Sequence, residues 1–167
     1  SNKGIKKVNR LMTSIDFYIL KSDKFSDYLS FIGKLTEKAY SKSHDIFIHT
    51  NNEELMLKLD EILWSYRENS FLPHYHEKSL NDELKKHPQK EEKKSSKTKR
   101  QIMIGCSGNP YDHHDILINL STEIPNFFSR FNRLSEIVFK NNIALENSRK
   151  RYKYYKDRGY PINIHNL

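Results

Sequence analysis

Ile15-Asp-Phe-Tyr-Ile-Leu20, then Phe25 to Tyr40, then Asp45-Ile-Phe-Ile-His-Thr50: the reading of these three neighbouring stretches decides the fold. The first is β-branched and aromatic and reads as a strand. The second sets Tyr28, Phe31, Ile32, Leu35 and Ala39 at helical spacing. The third is another short apolar strand. The alternation then continues. Glu53 to Tyr66 reads as a helix, with Asn51 or Asn52 available as its cap and Glu53 and Glu54 at the positive end of its dipole. Strands are expected at 101–106, 115–120 and 134–139, with a Pro-initiated turn bearing Phe127, Phe128 and Phe131 before the last of them. A helix from about 142 to 158 and a short extension at 162–164 close the chain. Strands alternating with helices predict an α/β fold: a single Rossmann-like domain whose mixed, mostly parallel sheet carries helices on both faces.

At 167 residues one domain with a real core is expected. The chain opens on Ser1 and Met12 directly precedes the first strand, so residues 1–13 read as a flexible leader to a domain over 14–167. Phe71-Leu-Pro-His74 is a short extended piece broken by Pro73. From Tyr75 to Lys99 the composition turns to Lys, Glu, Ser, Gln and His, which predicts an insertion at about 76–100 without regular structure. Cys106 is the single cysteine, so a disulfide framework within the chain and a cysteine-rich zinc site are excluded, and a structural thiol is expected. There is no signal peptide and no apolar run near the roughly 18 residues of a membrane span, which predicts a soluble, intracellular protein.

The charge points to acidic partners. Lys and Arg number 29 against 21 Asp and Glu, a net charge of +8. It is concentrated in two segments: Lys85 to Arg100 carries eight cations against Glu91 and Glu92, and Leu145 to Tyr160 carries six against Glu146 and Asp157. On a helix, Arg149, Tyr152, Lys153 and Lys156 share an arc of about 100°. Such a stripe is either a solvated helix surface or a receptor for something anionic with an apolar tip, a phosphodiester chain or an acidic peptide. Gly159 and Pro161 mark the end of this helix. On the helix after Asn52, Leu55, Leu59, Ile62 and Tyr66 form the core side with Met56 and Leu63, while Leu57 and Trp64 point away from it. An outward Trp beside an outward Leu is either covered by a loop or forms a contact surface for a protein partner.

Catalytic constellations are missing from the sequence. The five glycines are scattered and no phosphate-binding glycine pattern follows a strand. No Ser or Cys sits in a nucleophile elbow. Asp112-His-His-Asp115 is a turn whose side chains diverge, and His74 with His76 lacks a third ligand, so no metal and no cofactor are expected.

Three segments together resemble one family, the chi subunit of bacterial DNA polymerase III holoenzyme. They are Leu59-Asp-Glu-Ile-Leu-Trp64 with Ser70-Phe-Leu-Pro-His74; Asp115-Ile-Leu-Ile-Asn-Leu120 with Phe127 and Phe131; and Arg149-x-Arg-Tyr-Lys with Tyr155 and Gly159-Tyr160. The opening Phe17-Tyr-Ile-Leu20 is also similar to the family's first strand. The resemblance covers roughly residues 14–164 and skips the charged insertion, onto which nothing functional is carried.

The resemblance implies a non-catalytic adaptor of bacterial DNA replication, cytoplasmic and at the replication fork. One face would receive the acidic C-terminal tail of single-stranded DNA-binding protein, through Val138, Arg149, Tyr152 and Lys153, with Lys156 and Tyr160 beside them. The other would hold the psi subunit of the clamp loader through Trp64 and Phe71, with Leu57 in the same patch, and a helicase is a further candidate for that face. Leu145 departs from the family's pattern, which has an extra charged contact there. DNA would be met only indirectly. The alternative is a direct single-stranded nucleic-acid module, with the basic segments on phosphates and tyrosines stacked on bases. Tyr152 and Tyr160, expected to cluster at one end of the helix as a pocket, favour the adaptor.

Overall fold

The computed structural model describes residues 12–65, 72–86 and 102–167. Seven strands alternate with four helices in it: β1 (Ser14–Ile19), α1 (Phe25–Ser41), β2 (Ile46–His49), α2 (Glu53–Ser65), β3 (Tyr75–His76), α3 (Glu77–Lys86), β4 (Ile102–Gly105), β5 (Ile116–Asn119), β6 (Arg133–Val138), α4 (Asn142–Asp157) and β7 (Ile162–Asn166). They form one sheet in the order β3-β4-β2-β5-β6-β1-β7. The expected α/β class is what is found, and the sheet is more uniform than the mixed one expected: every pairing among the described strands is parallel.

The pleat sorts the core into two layers. Ile46 and Ile48 of β2, Ile102 and Ile104 of β4, and Ile116 and Ile118 of β5 turn to one face. There Tyr28, Leu29, Ile32 and Ala39 of α1 and Met56, Leu59 and Leu63 of α2 cover them. The alternate residues, Phe47, Met103 and Leu117, turn to the other face and meet Phe128, Phe131 and Tyr155 of α4. β2, β4 and β5 are therefore buried at every position, as parallel strands sandwiched between helices must be.

Two local features settle details the sequence left open. Asn52 caps α2, its Oδ1 accepting from the N–H of Leu55 at 3.1 Å. Gly105 ends β4 beneath Phe47, and a Cβ there would stand 2.7 Å from the ring, so a side chain at this position would force the buried Phe47 ring to shift.

The charged segment is a correction. Tyr75 and His76 pair with β4, and a ten-residue helix, α3, occupies 77–86, where the composition had suggested no regular structure. The reason lies in Glu77, only 4% exposed. Its carboxylate accepts from the backbone N–H groups of Cys106 (2.8 Å) and Ser107 (2.9 Å), from the Tyr111 hydroxyl (3.0 Å) and from the Ser107 hydroxyl. One buried carboxylate ties the start of α3 to the end of β4. Residues 1–11, the expected leader, and 87–101, most of the expected insertion, lie outside the described residues.

Candidate interaction sites

The basic helix is built as its termini require. Asn141 is the N-cap, its Oδ1 accepting from Ala144 N–H at 2.8 Å. At the other end Gly159 has φ +75° and its N–H reaches Lys156 O (3.0 Å), while Tyr160 N–H reaches Tyr155 O (3.1 Å). These two bonds and the left-handed glycine are a Schellman closure, and Pro161 turns the chain out into β7.

Ser148, Arg151 and Tyr155 face inward. Of the residues singled out in the sequence, Arg149, Lys153 and Lys156 are exposed on the outer side and Tyr152 is half-buried among them. The Tyr152 ring packs edge-on against Phe17 of β1, centroids 5.8 Å apart, and the Lys156 ammonium stands 5.9 Å from its centre. Val138, the last residue of β6, belongs to the same buried cluster and is 1% exposed, so it backs the stripe from within. Tyr160 is elsewhere. It packs on Phe128 at 5.2 Å, on the far side of Tyr155, which touches Phe17 and Tyr160 alike. The single pocket expected from Tyr152 and Tyr160 is therefore not formed: a fully buried tyrosine divides them.

What holds α4 in place was not legible. The register sets Asn119 of β5 beside Glu136 of β6, in the face under α4. Glu136 has no exposed surface. It accepts from Asn119 Nδ2 (3.0 Å), Tyr155 Oη (2.8 Å) and Arg151 Nε (3.0 Å), and Arg151 Nη1 goes on to Thr122 O at 3.0 Å. Burial raises the Glu136 carboxyl above the ordinary range, opposed by the Arg151 guanidinium and by the amide and phenol donors. Burial, with the adjacent Glu136 charge, also drives the Tyr155 phenol far up, so it stays a donor. One cation of six is thus spent inside the protein. The only sequence signal was a lone Glu within the apolar run Leu134 to Val138.

On the opposite face of the sheet, α2 presents the second candidate surface. Trp64 is 50% exposed and Leu57, two turns earlier, 39%. The indole rests on the buried His74 ring, centroids 4.4 Å apart. His74 is itself held between the carbonyl oxygens of Leu72 (2.6 Å) and Asp60 (3.0 Å). Phe71 and Tyr66 lie outside the described residues.

The two doubtful histidine clusters resolve into structure. Asp115 Oδ2 bonds His44 Nδ1 at 2.9 Å, His113 packs on Phe47, and His114 Nδ1 lies 3.1 Å from Asp112 O. Among the described residues no group of three or more potential ligands is assembled for a metal, and no helix is long and apolar enough to cross a membrane. Cys106 is partly exposed, with its thiol pushed up by burial and by the Glu77 charge.

A parallel α/β scaffold with one basic-aromatic helix face and one exposed tryptophan face is the class these features define. The family model for the DNA polymerase III chi subunit, HolC, matches residues 12–163, and the chain belongs to that family. It is similar to the DNA polymerase III subunit chi of Pseudomonas aeruginosa, 31% identical over 93% of this chain and 98% of the relative. The subunit of the same name from Haemophilus influenzae is 27% identical over 90% of this chain and 95% of its own length. Among solved structures, T4 UvsW superposes with a TM-score of 0.64 over 93% of this chain at 11% identity. The chain spans 41% of that protein, and the likeness is one of fold.

Proposed function

We propose that the protein is a non-catalytic adaptor at the bacterial replication fork, joining the acidic tail of single-stranded DNA-binding protein to the psi subunit of the clamp loader. The observation that carries this reading is the placement of the two candidate surfaces on opposite faces of one rigid sheet. α4 covers the Phe47 side and α2 the Ile48 side, so two partners are bound without meeting.

Arg149 and Lys153 take the terminal carboxylate, a charge-assisted contact worth about 1.5–3 kcal/mol. The terminal apolar ring lies along Tyr152, with Val138 behind it, and its burial contributes roughly 1.5–3 kcal/mol. Lys156 meets acidic residues upstream and chiefly raises the association rate. Tyr160, turned to Phe128, borders this site without lining it. On the other face Leu57 and Trp64, with Phe71 following in sequence, receive psi, and a helicase competes for the same surface.

The test is titration with a short acidic peptide ending in Pro-Phe, with its C-terminus free or amidated. Arg149→Ala and Lys153→Ala each lose peptide binding sharply, Lys85→Ala loses little, and amidation weakens binding to the wild type. If amidation changes nothing, or bare single-stranded DNA binds more tightly than peptide, the helix is a nucleic-acid grip and the adaptor reading fails.

A further inference from the structure

On the flank of α4 away from Tyr152 lies an open cleft of about 700 Å³, within the roughly 300–1,000 Å³ range of ligand sites. One wall is the turn after β5, with Ile124, Pro125 and Asn126; the other is Asn147, Lys150 and Tyr154 of α4. Thr122, Glu123, Phe128 and Arg151 complete the lining. Arg151 is already neutralised by Glu136, so Lys150 is the cation on the α4 wall that is free to meet a ligand. The lining mixes the apolar side chains of Ile124, Pro125, Phe128 and Tyr154 with two amides that both donate and accept, as a peptide backbone requires, and with the Glu123 carboxylate.

The path to it is charged. Turning about the axis of α4 at 100° per residue, Lys156, Arg149, Lys153 and Lys150 follow one another between Tyr152 and Tyr154. All four are exposed. They form a cationic ridge from one flank to the other, with the exposed carboxylates of Glu146 and Asp157 on the same arc toward the two ends of the helix. On a helix about 10–12 Å across with its side chains, the arc of about 200° from Tyr152 to Tyr154 runs about 17–21 Å, and an extended chain advances about 3.3 Å per residue, so about five or six residues traverse this ridge.

We propose that the cleft is a second subsite for the same acidic tail, taking an apolar side chain about five or six places before the terminal carboxylate. This rests on the adaptor reading above. The tail's end is gripped at Tyr152, its acidic stretch crosses the ridge, and its upstream residue is held between Ile124 and Tyr154, with its backbone on Asn126 and Asn147.

The experiment titrates the full chain with two peptides ending in Pro-Phe: a four-residue one, and an acidic ten-residue one in which a single Leu is moved along the upstream positions. The proteins are the wild type, Arg149→Ala, and a Lys150→Ala/Asn126→Ala double variant, whose changes lie at exposed positions. The short peptide binds the wild type and the double variant equally and is lost in Arg149→Ala. The long peptide binds the wild type about fivefold tighter than the short one, with the gain greatest when Leu is about five or six places from the end, and the double variant loses that gain. If the long peptide gains nothing, or its gain is independent of the Leu position, or the double variant weakens both peptides alike, the cleft is no subsite while the adaptor reading stands. If neither peptide binds the wild type, the adaptor reading itself is overturned, and this inference with it.

Discussion

Glu136 is where a single residue matters most to the candidate tail site. A carboxylate with no exposed surface, bonded to Asn119, Arg151 and Tyr155, is tolerable only while every partner is present. Arg151→Met removes its cation and leaves the charge buried, so urea unfolding is expected to show a loss of about 3–5 kcal/mol. A loss below about 1 kcal/mol would mean the pair does not clamp α4. Glu77 makes a different prediction. Burial alone would raise its carboxyl, but the Ser107 hydroxyl, the two backbone N–H groups and Tyr111 outweigh burial and hold it below the ordinary 4.5. Since the folded value is the lower one, the unfolded chain takes up the proton first. The stabilisation is complete above about 4.5 and fades as the pH falls through the folded value. Glu77→Gln should therefore be less stable than the wild type by about 1.5–3 kcal/mol at neutral pH. The gap should narrow in acid, and a gap that is the same at both pH values would contradict the hydrogen-bonded carboxylate. Neither glutamate could be read from the sequence. Periodicity tells which positions turn inward, but not which of six cations on a helix finds a carboxylate waiting on the sheet.

At the scale of the element, the helices were legible where short-range chemistry decides them. Asn141, Gly159 and Pro161 bound α4 through hydrogen bonds within a few residues of each other, and such bonds leave a sequence signature. Gly159 at φ +75° is expected to cost about 1–2 kcal/mol when replaced by Val, with thermal unfolding as the measure. A neutral substitution would show that the closure is not needed. The outward face of α2 was legible for the same reason, since Leu57 and Trp64 stand seven residues apart. Its core centre lies at Met56, Leu59 and Leu63, with Leu55 and Ile62 only partly buried, because the helix is rotated slightly from the expected stripe. α3 was not legible. It is fastened by a carboxylate to a strand 29 residues further on, and local composition holds no trace of that contact. Truncating Trp64 to Ala is expected to leave the fold intact and to cost binding of the partner proposed for this face about 2 kcal/mol or more. Loss of the fold instead would make Trp64 a core residue.

At the scale of the whole molecule, the α/β class followed from alternating strand and helix patterns, and six of the seven strands lie within a residue or two of where they were expected, β3 being the one not foreseen. The strand order was not available. β1 lies between β6 and β7, partners about 120 and 145 residues away in the chain, and hydrophobic pattern records burial but not neighbours. That order gives α2 and α4 opposite faces of the sheet, and with them the separation on which the adaptor account depends. Its most direct test is sequential capture. The acidic tail peptide is immobilised, the protein is bound to it, and psi is added to the captured protein. The account predicts that psi joins with the affinity it has for the free protein, that Trp64→Ala is captured by the peptide but fails to recruit psi, and that Arg149→Ala binds psi in solution but is not captured. Displacement of the protein from the peptide by psi would show that the two surfaces are one, and would contradict the account.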